Sequence, residues 1–233
     1  MLQRIRQALA LPQGQTSTPS DLAALPDLGA VLPPIEPADL ITRFEQELTK
    51  VGASAHRIQS SEIGGLLSQV FKVERADGVV LSRNPLLARL DLEGVCKDIG
   101  VPAWTWPVGT SNDPDSTFGA AAHDYRERCF SAAAGVTGVD FALAESGTLV
   151  LSSLTEGAQL SSLAPPIHIA FYLRRQVVGT LEEVLEGLRV LNPSPGRSVV
   201  LITGTSRTAD IEQILIRGVH GPREVHAVLI EDW

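Results

Sequence analysis

The sequence predicts an α/β fold, a mostly parallel sheet with helices on both faces, preceded by an N-terminal arm. Two observations carry this. Short apolar runs alternate with segments whose apolar residues recur at helical spacing, the pattern of buried strands joined by crossover helices. Six of the 15 prolines crowd between Pro12 and Pro37 among Gln, Ser, Thr and Gly, which marks an extended arm or linker. The predicted division is an arm over residues 1–38 and one α/β domain over 39–233.

Within the arm, Leu2, Ile5 and Leu9 share one side of a short helix over 2–10. The domain opens with a helix carrying Leu40, Phe44, Leu48 and Val51, with Gly52 where a left-handed C-terminal cap belongs. Ala53 to Ile58 reads as a short strand. Ile63, Leu66, Leu67 and Val70 set a second helix face. Val79-Val80-Leu81 is a buried strand. Leu86 to Ile99 is helical with a break near Gly94, and Val101 to Trp106 is extended. Ala142-Leu143-Ala144 and Thr148 to Leu151 flank Glu145-Ser146-Gly147 as two strands about a tight turn. Ile167 to Leu173 is a strand, and Gln176 to Val178 is expected to fold back on it as a hairpin. Thr180 and Glu183 have capping-box spacing before a helix with Val184, Leu188 and Leu191 inward. Ser198 to Thr203 reads as a buried strand. The loop Gly204 to Thr208 is expected to open a helix with Ile211, Ile214 and Leu215 inward, and Val225 to Ile230 closes the sheet.

Composition removes several classes. The formal net charge is -8, whereas a protein gripping a phosphate backbone needs a basic face, so no nucleic-acid partner is expected. Hydrophobic residues are 44% of the chain, enough for a sizeable core. No window is long and apolar enough to span a bilayer, and the polar start lacks a secretory h-region, so the expected compartment is cytoplasmic, with no membrane partner. Cys96 and Cys129 are the only cysteines and form no CxxC, so neither an iron–sulfur cluster nor a Cys-rich zinc site can be built from this chain alone. No metal site is expected; the spacing of His123, His168 and His220 demands none.

Three segments carry candidate chemistry. In Gly204-Thr205-Ser206-Arg207-Thr208, a strand end passes into a predicted helix start. Free N–H groups, hydroxyls and the Arg207 fork there suit a carboxylate or phosphate, at the carboxyl end of a strand where open α/β sheets place ligands. Thr208 as a plain helix N-cap accounts for the same residues. In Gly138-Val139-Asp140 followed by Glu145-Ser146-Gly147-Thr148, two carboxylates near a Gly turn offer a base or nucleophile. The alternative is that Asp140 caps a turn and Glu145 sits exposed at a hairpin tip. In Gly218-Val219-His220-Gly221, His220 is a candidate proton carrier, or a cation complementing a helix terminus.

These segments resemble a known family. Residues 202–212 with Gly218 to Pro222 look like the C-terminal signature of the LUD (lactate-utilization) family, residues 138–149 like its central signature, and Pro166 to Ile169 like the proline–histidine strand between them. The resemblance implies the fold of the NagB/RpiA/CoA-transferase type. It implies a component of an L-lactate (2-hydroxy acid) oxidation system that binds a small anionic substrate and works with iron–sulfur oxidoreductase subunits, those partners carrying the clusters. The alternative is an independent acyl-CoA transferase or sugar-phosphate isomerase-like enzyme. Gly138-Val139-Asp140 resembles the isomerase Gly-x-Asp turn, although Phe141 stands where isomerases place a second acid. Glu145-Ser146-Gly147 resembles the transferase Glu-x-Gly loop. On this resemblance Asp140, Glu145 and His220 are the catalytic candidates. Gly138, Ser146, Gly147, Thr148, Gly204, Thr205, Ser206, Arg207, Thr208 and Gly221 are the substrate-binding candidates, expected to line one cleft.

Overall fold

A computed structural model describes residues 35–74, 78–107, 120–191, 198–209, 215–218 and 220–233. The predicted helix over 2–10 and nearly all of the arm lie outside them. In chain order the elements are α1 (Leu40–Lys50), β1 (Ser54–Ile58), α2 (Ile63–Glu74), β2 (Val79–Leu81), α3 (Pro85–Arg89), α4 (Leu92–Asp98), β3 (Ala103–Thr105), α5 (Ala120–Ser131), β4 (Ala134–Thr137), β5 (Phe141–Leu143), β6 (Thr148–Ser152), α6 (Ser153–Glu156), β7 (Ile167–Leu173), β8 (Val177–Val178), α7 (Leu181–Leu191), β9 (Val199–Ile202), β10 (Arg207–Ala209), β11 (Leu215–Arg217) and β12 (Glu224–Ile230).

The main sheet has six strands in the order β1-β12-β7-β4-β2-β3, all parallel. Its central strands are apolar on both faces, as burial on both sides requires. On one face, Val79, Leu81, Ile167, Ile169 and Phe171 pack with Ile63 and Leu67 of α2, Leu86 and Leu87 of α3, and Leu92 and Cys96 of α4. On the other, Ala170, Tyr172, Ala227 and Leu229 meet Ile41, Phe44 and Leu48 of α1, and Val80 meets Tyr125 and Cys129 of α5. Phe44 and Tyr172 form an edge-to-face pair with ring centroids 5.3 Å apart. Such a pair adds roughly 0.5–1.5 kcal/mol to what burial supplies.

A second sheet, β8-β5-β6-β9, covers the α1 face through Ala142, Leu149 and Leu151. Its core is the predicted hairpin, β5 antiparallel to β6. α7 packs behind it through Val184, with Leu188 half-buried. Helix α7 starts as its capping residues suggest: Thr180 Oγ1 accepts from Glu183 N–H at 3.3 Å, and Glu183 Oε2 from Gly179 N–H at 2.7 Å.

Four sequence expectations need correction. The helix predicted after Thr208 is absent from the described residues there. Arg207-Thr208-Ala209 instead pairs antiparallel with Leu215-Ile216-Arg217, and Gly218 N–H donates to Ser206 O at 3.0 Å to close the hairpin. Ile211 and Ile214 of the predicted helix lie outside the described residues, and Leu215 stands in β11. The segment ending at Val178 does not fold back on β7. A 3-10 turn at Arg174–Gln176 carries the chain into the second sheet, where β8 pairs parallel with β5; Gln176 ties the turn to Leu173 N–H and Val139 O. β9 is not a buried strand but the edge of the second sheet, antiparallel to β6, with Leu201 50% exposed. The break in 86–99 falls at Asp91, at φ 49, rather than at Gly94, because the Asp91 carboxylate caps α4 by accepting Gly94 N–H at 3.2 Å. Three elements went unread in the sequence, α5, β4 and α6.

Candidate functional site

Strand direction gives the main sheet two functional edges, and the predicted site residues divide between them. At the carboxyl edge, β4 ends at Thr137 and runs into Gly138-Val139-Asp140, while β2 ends at Leu81 and runs into Ser82-Arg83-Asn84. At the centre of this edge is Glu156, the last residue of α6, fully buried. Its Oε2 accepts from Ser82 Oγ at 2.5 Å and from Gly138 N–H at 3.2 Å, and its Oε1 accepts from Asn84 Nδ2. Burial pushes the Glu156 carboxyl up from the ordinary range and nearby Asp140 adds to that, while the Ser82 and Asn84 hydrogen bonds pull the other way. A side chain on Gly138 would overlap the Asn84 amide, with a Cβ only 2.3 Å from Asn84 Cγ. Glycine is what lets the two strand ends close on the carboxylate.

Asp140 belongs to the same edge. Its carboxylate accepts Ser152 N–H at 2.6 Å and Thr155 Oγ1 at 3.0 Å, fastening the start of β5 to the end of β6. Arg83 donates its backbone N–H to Glu156 O at 3.2 Å and Nη2 to Leu154 O at 3.3 Å. Beside this cluster is a cavity of about 270 Å³, whose wall includes Ser82, Arg83, Asn84, Asp91, Glu93 and Thr105, with Leu81, Leu87 and Leu92 as its apolar part. Asp91 is the one non-glycine residue with positive φ among the described residues. Such strain gathers where a ligand or a cap demands it. Thr105 Oγ1 donates to Glu93 Oε1 across the cavity wall.

At the amino edge lie the remaining candidates. Ser146 Oγ bonds Thr148 Oγ1 at 2.7 Å, and Thr148 Oγ1 bonds Thr203 Oγ1 at 2.8 Å. Gly147 lies on the α1 backbone at Leu48, and Gly204 on the Val51 carbonyl. Thr205 Oγ1 accepts from Arg207 Nε at 3.4 Å, and the Arg207 guanidinium lies over Gly52, in the link from α1 to β1. Ser206 N–H donates to Pro222 O at 2.9 Å, and Gly221 lies beside Ser206. His220 is exposed. The Thr208 backbone pairs with Ile216 in the hairpin; its side chain lies outside the described residues. Glu145 accepts Leu181 N–H at 3.0 Å and caps α7. The single cleft expected from the sequence is thus two clusters. Asp140 and Gly138 stand at one edge, and Ser146, Gly147, Thr148, Gly204, Thr205, Ser206, Arg207 and Gly221 at the other. The Gly204 loop misses the carboxyl edge because β9 belongs to the antiparallel sheet.

A profile of the LUD domain matches residues 41–230, which contain both clusters. The chain belongs to the LUD domain family. Among curated relatives of this LUD chain, lactate utilization protein C of Deinococcus radiodurans is 27% identical over 231 residues, covering 99% of this chain and 93% of the relative. Lactate utilization protein C of Bacillus subtilis is 28% identical over 203 residues, covering 83% and 79%. A crystal structure of a DUF162 family protein from Deinococcus radiodurans superposes with TM-score 0.58 at 20% identity, over 84% of this chain and 99% of that one. That likeness speaks to the fold.

Sequence reasoning missed Ser82, Arg83, Asn84, Glu93, Thr105 and Glu156. The available signal was position: Ser82-Arg83-Asn84 directly follows the apolar triplet Val79-Val80-Leu81, so it had to stand at a carboxyl strand end. The LUD chain's cysteines do not fit an iron–sulfur cluster. Cys96 and Cys129 are buried in separate clusters on opposite faces of the sheet, and burial pushes their thiols up to about 11 and about 12. Among the described residues no group of three or more His, Cys, Asp and Glu is placed to hold a metal, and no helix is long and apolar enough to cross a membrane.

Proposed function

We propose that this chain serves L-lactate utilization by holding a small hydroxy acid in the carboxyl-edge cavity, beside partner subunits that carry the iron–sulfur clusters. The observation that carries the reading is Arg83 in the wall of a cavity at the carboxyl ends of β2 and β3, the edge where open α/β sheets bind ligands. A guanidinium there supplies a fork for a carboxylate. The names of the relatives supply the metabolic context. Electron transfer falls to partners because two buried, separated thiols offer no cluster ligands.

The test is genetic and biochemical together. Deletion of the gene is expected to abolish growth on L-lactate, with restoration by the intact gene and not by Arg83→Ala. Affinity purification of the intact chain from lactate-grown cells is expected to bring down cysteine-rich iron–sulfur proteins. Undiminished growth of the deletion strain on L-lactate overturns the reading.

A further inference from the structure

The donors and acceptors of the cavity are unevenly shared. A hydroxyl has one proton and two lone pairs, so a hydroxyl that has committed its proton offers a ligand only lone pairs. Thr105 gives its proton to Glu93 Oε1. Ser82, buried at the cavity floor, gives its proton to Glu156 Oε2 at 2.5 Å and receives Asn84 N–H at 3.3 Å, which leaves one lone pair open. Both Glu156 oxygens also receive N–H donors, from Asn84 and Gly138. Asp91 and Glu93 add acceptor oxygens to the same wall. Against these acceptors stands one cation, Arg83.

We infer that Ser82 and Thr105 are specificity-determining residues that make the cavity select acids bearing a hydroxyl over the same acids bearing a carbonyl. This rests on the carboxyl-edge reading of the preceding section. A 2-hydroxy acid sets its carboxylate on Arg83 and donates its hydroxyl proton to an oxygen of the opposing wall. The matching 2-oxo acid brings another acceptor against acceptors, and desolvating that mismatch is what rejects it. The cavity volume of about 270 Å³ suits small metabolites of this kind. Glu156 does not line the cavity; Glu93 and Glu156 fix which way the two hydroxyl groups point.

The experiment is calorimetric titration of the full chain with matched pairs: L-lactate and pyruvate, glycerate and hydroxypyruvate, L-malate and oxaloacetate. The hydroxy acid of any binding pair is expected to bind at least ~10-fold tighter than its oxo partner. Thr105→Val is expected to shrink that ratio toward unity while retaining the fold, checked by circular dichroism, and Ser82→Ala to do the same. An oxo acid binding as tightly as its hydroxy partner overturns the inference, as does a ratio unmoved in both Thr105→Val and Ser82→Ala. Should L-lactate and pyruvate both be silent while another pair shows the preference, the lactate assignment falls and the selectivity stands. Silence from all pairs removes both.

Discussion

Asp140 and Glu145 are five residues apart in the chain yet mark opposite edges of the parallel sheet. Asp140 sits where β5 leaves the carboxyl edge, and Glu145 at the turn on the amino edge. The five-residue β6 between the edges spans about 14 Å at ~3.4 Å per residue. The two carboxylates hold different partners, Ser152 and Thr155 at one edge and Leu181 at the other. This separation is why the ligand chemistry is assigned to the neighbours of Asp140 rather than to the more polar-looking Gly204 loop.

The first expectation concerns Asp140 itself. Its carboxylate holds Ser152 N–H and Thr155 Oγ1 while 8% exposed. Asp140→Ala leaves those donors unpaired and is expected to lower unfolding stability by about 2 kcal/mol in urea titration. A wild-type midpoint contradicts the structural role given to it.

Glu145 is expected to behave as a helix cap. Glu145→Ala costs about 1 kcal/mol in thermal or urea unfolding, by loss of the bond to Leu181 N–H, and leaves growth on L-lactate intact. Mass spectrometry after exposure to acyl-CoA is expected to show no adduct at Glu145; an adduct there brings the transferase reading back.

Gly147 has φ 64, and a Cβ at this position would stand 2.1 Å from Leu48 N, a backbone atom that cannot swing aside. Gly147→Ala is expected to cost roughly 1–3 kcal/mol or to prevent folding. Gly65, in α2, meets nothing within 4 Å, so Gly65→Ala serves as the control and is expected to stabilise by roughly 0.5–1 kcal/mol. Equal effects at the two positions contradict the packing of the hairpin tip on α1.

Histidines set an acid limit on stability. His168 is fully buried, with Nε2 on Thr137 Oγ1 at 2.8 Å, and burial, with His226 adding to it, pushes its pKa down to about 3. His56 and His226 stack with a ring nitrogen contact of 3.0 Å, and burial lowers both. An unfolded imidazole takes its proton near pH ~6.5. Below that value the unfolded chain binds protons that the folded chain refuses, so stability present above it is lost as pH falls, at about 1.4 kcal/mol per pH unit for His168. Urea midpoints from about pH 5 to about pH 8 check this, and His168→Gln is expected to flatten the slope; an unchanged slope contradicts the burial argument.

Much of the fold was legible because burial writes itself into the chain. Val79 to Leu81, Ile167 to Leu173 and Val225 to Ile230 are mostly apolar runs without strict alternation, the pattern of a strand covered on both faces. The hairpin about Glu145 was read from its turn residues and confirmed by the pairing of Phe141 with Val150. Leu215 was misread because its spacing fits a helix, whereas antiparallel pairing of Leu215 to Arg217 with Arg207 to Ala209 decides the outcome through partners that local propensity does not see. The site was harder still. Glu156 is one acid in a Ser- and Leu-rich stretch, and nothing local tells it from a solvated glutamate. Only the meeting of β2, β4 and α6 surrounds it with Ser82, Asn84 and Gly138.

The most direct test of the account sets its two arginines against each other. L-lactate is titrated calorimetrically into the intact chain, Arg83→Ala and Arg207→Ala under one buffer. Arg83→Ala is expected to weaken binding at least ~10-fold, about 1.4 kcal/mol, and Arg207→Ala to leave it unchanged. Loss of binding in Arg207→Ala with Arg83→Ala unaffected would place the ligand at the amino edge and contradict the account.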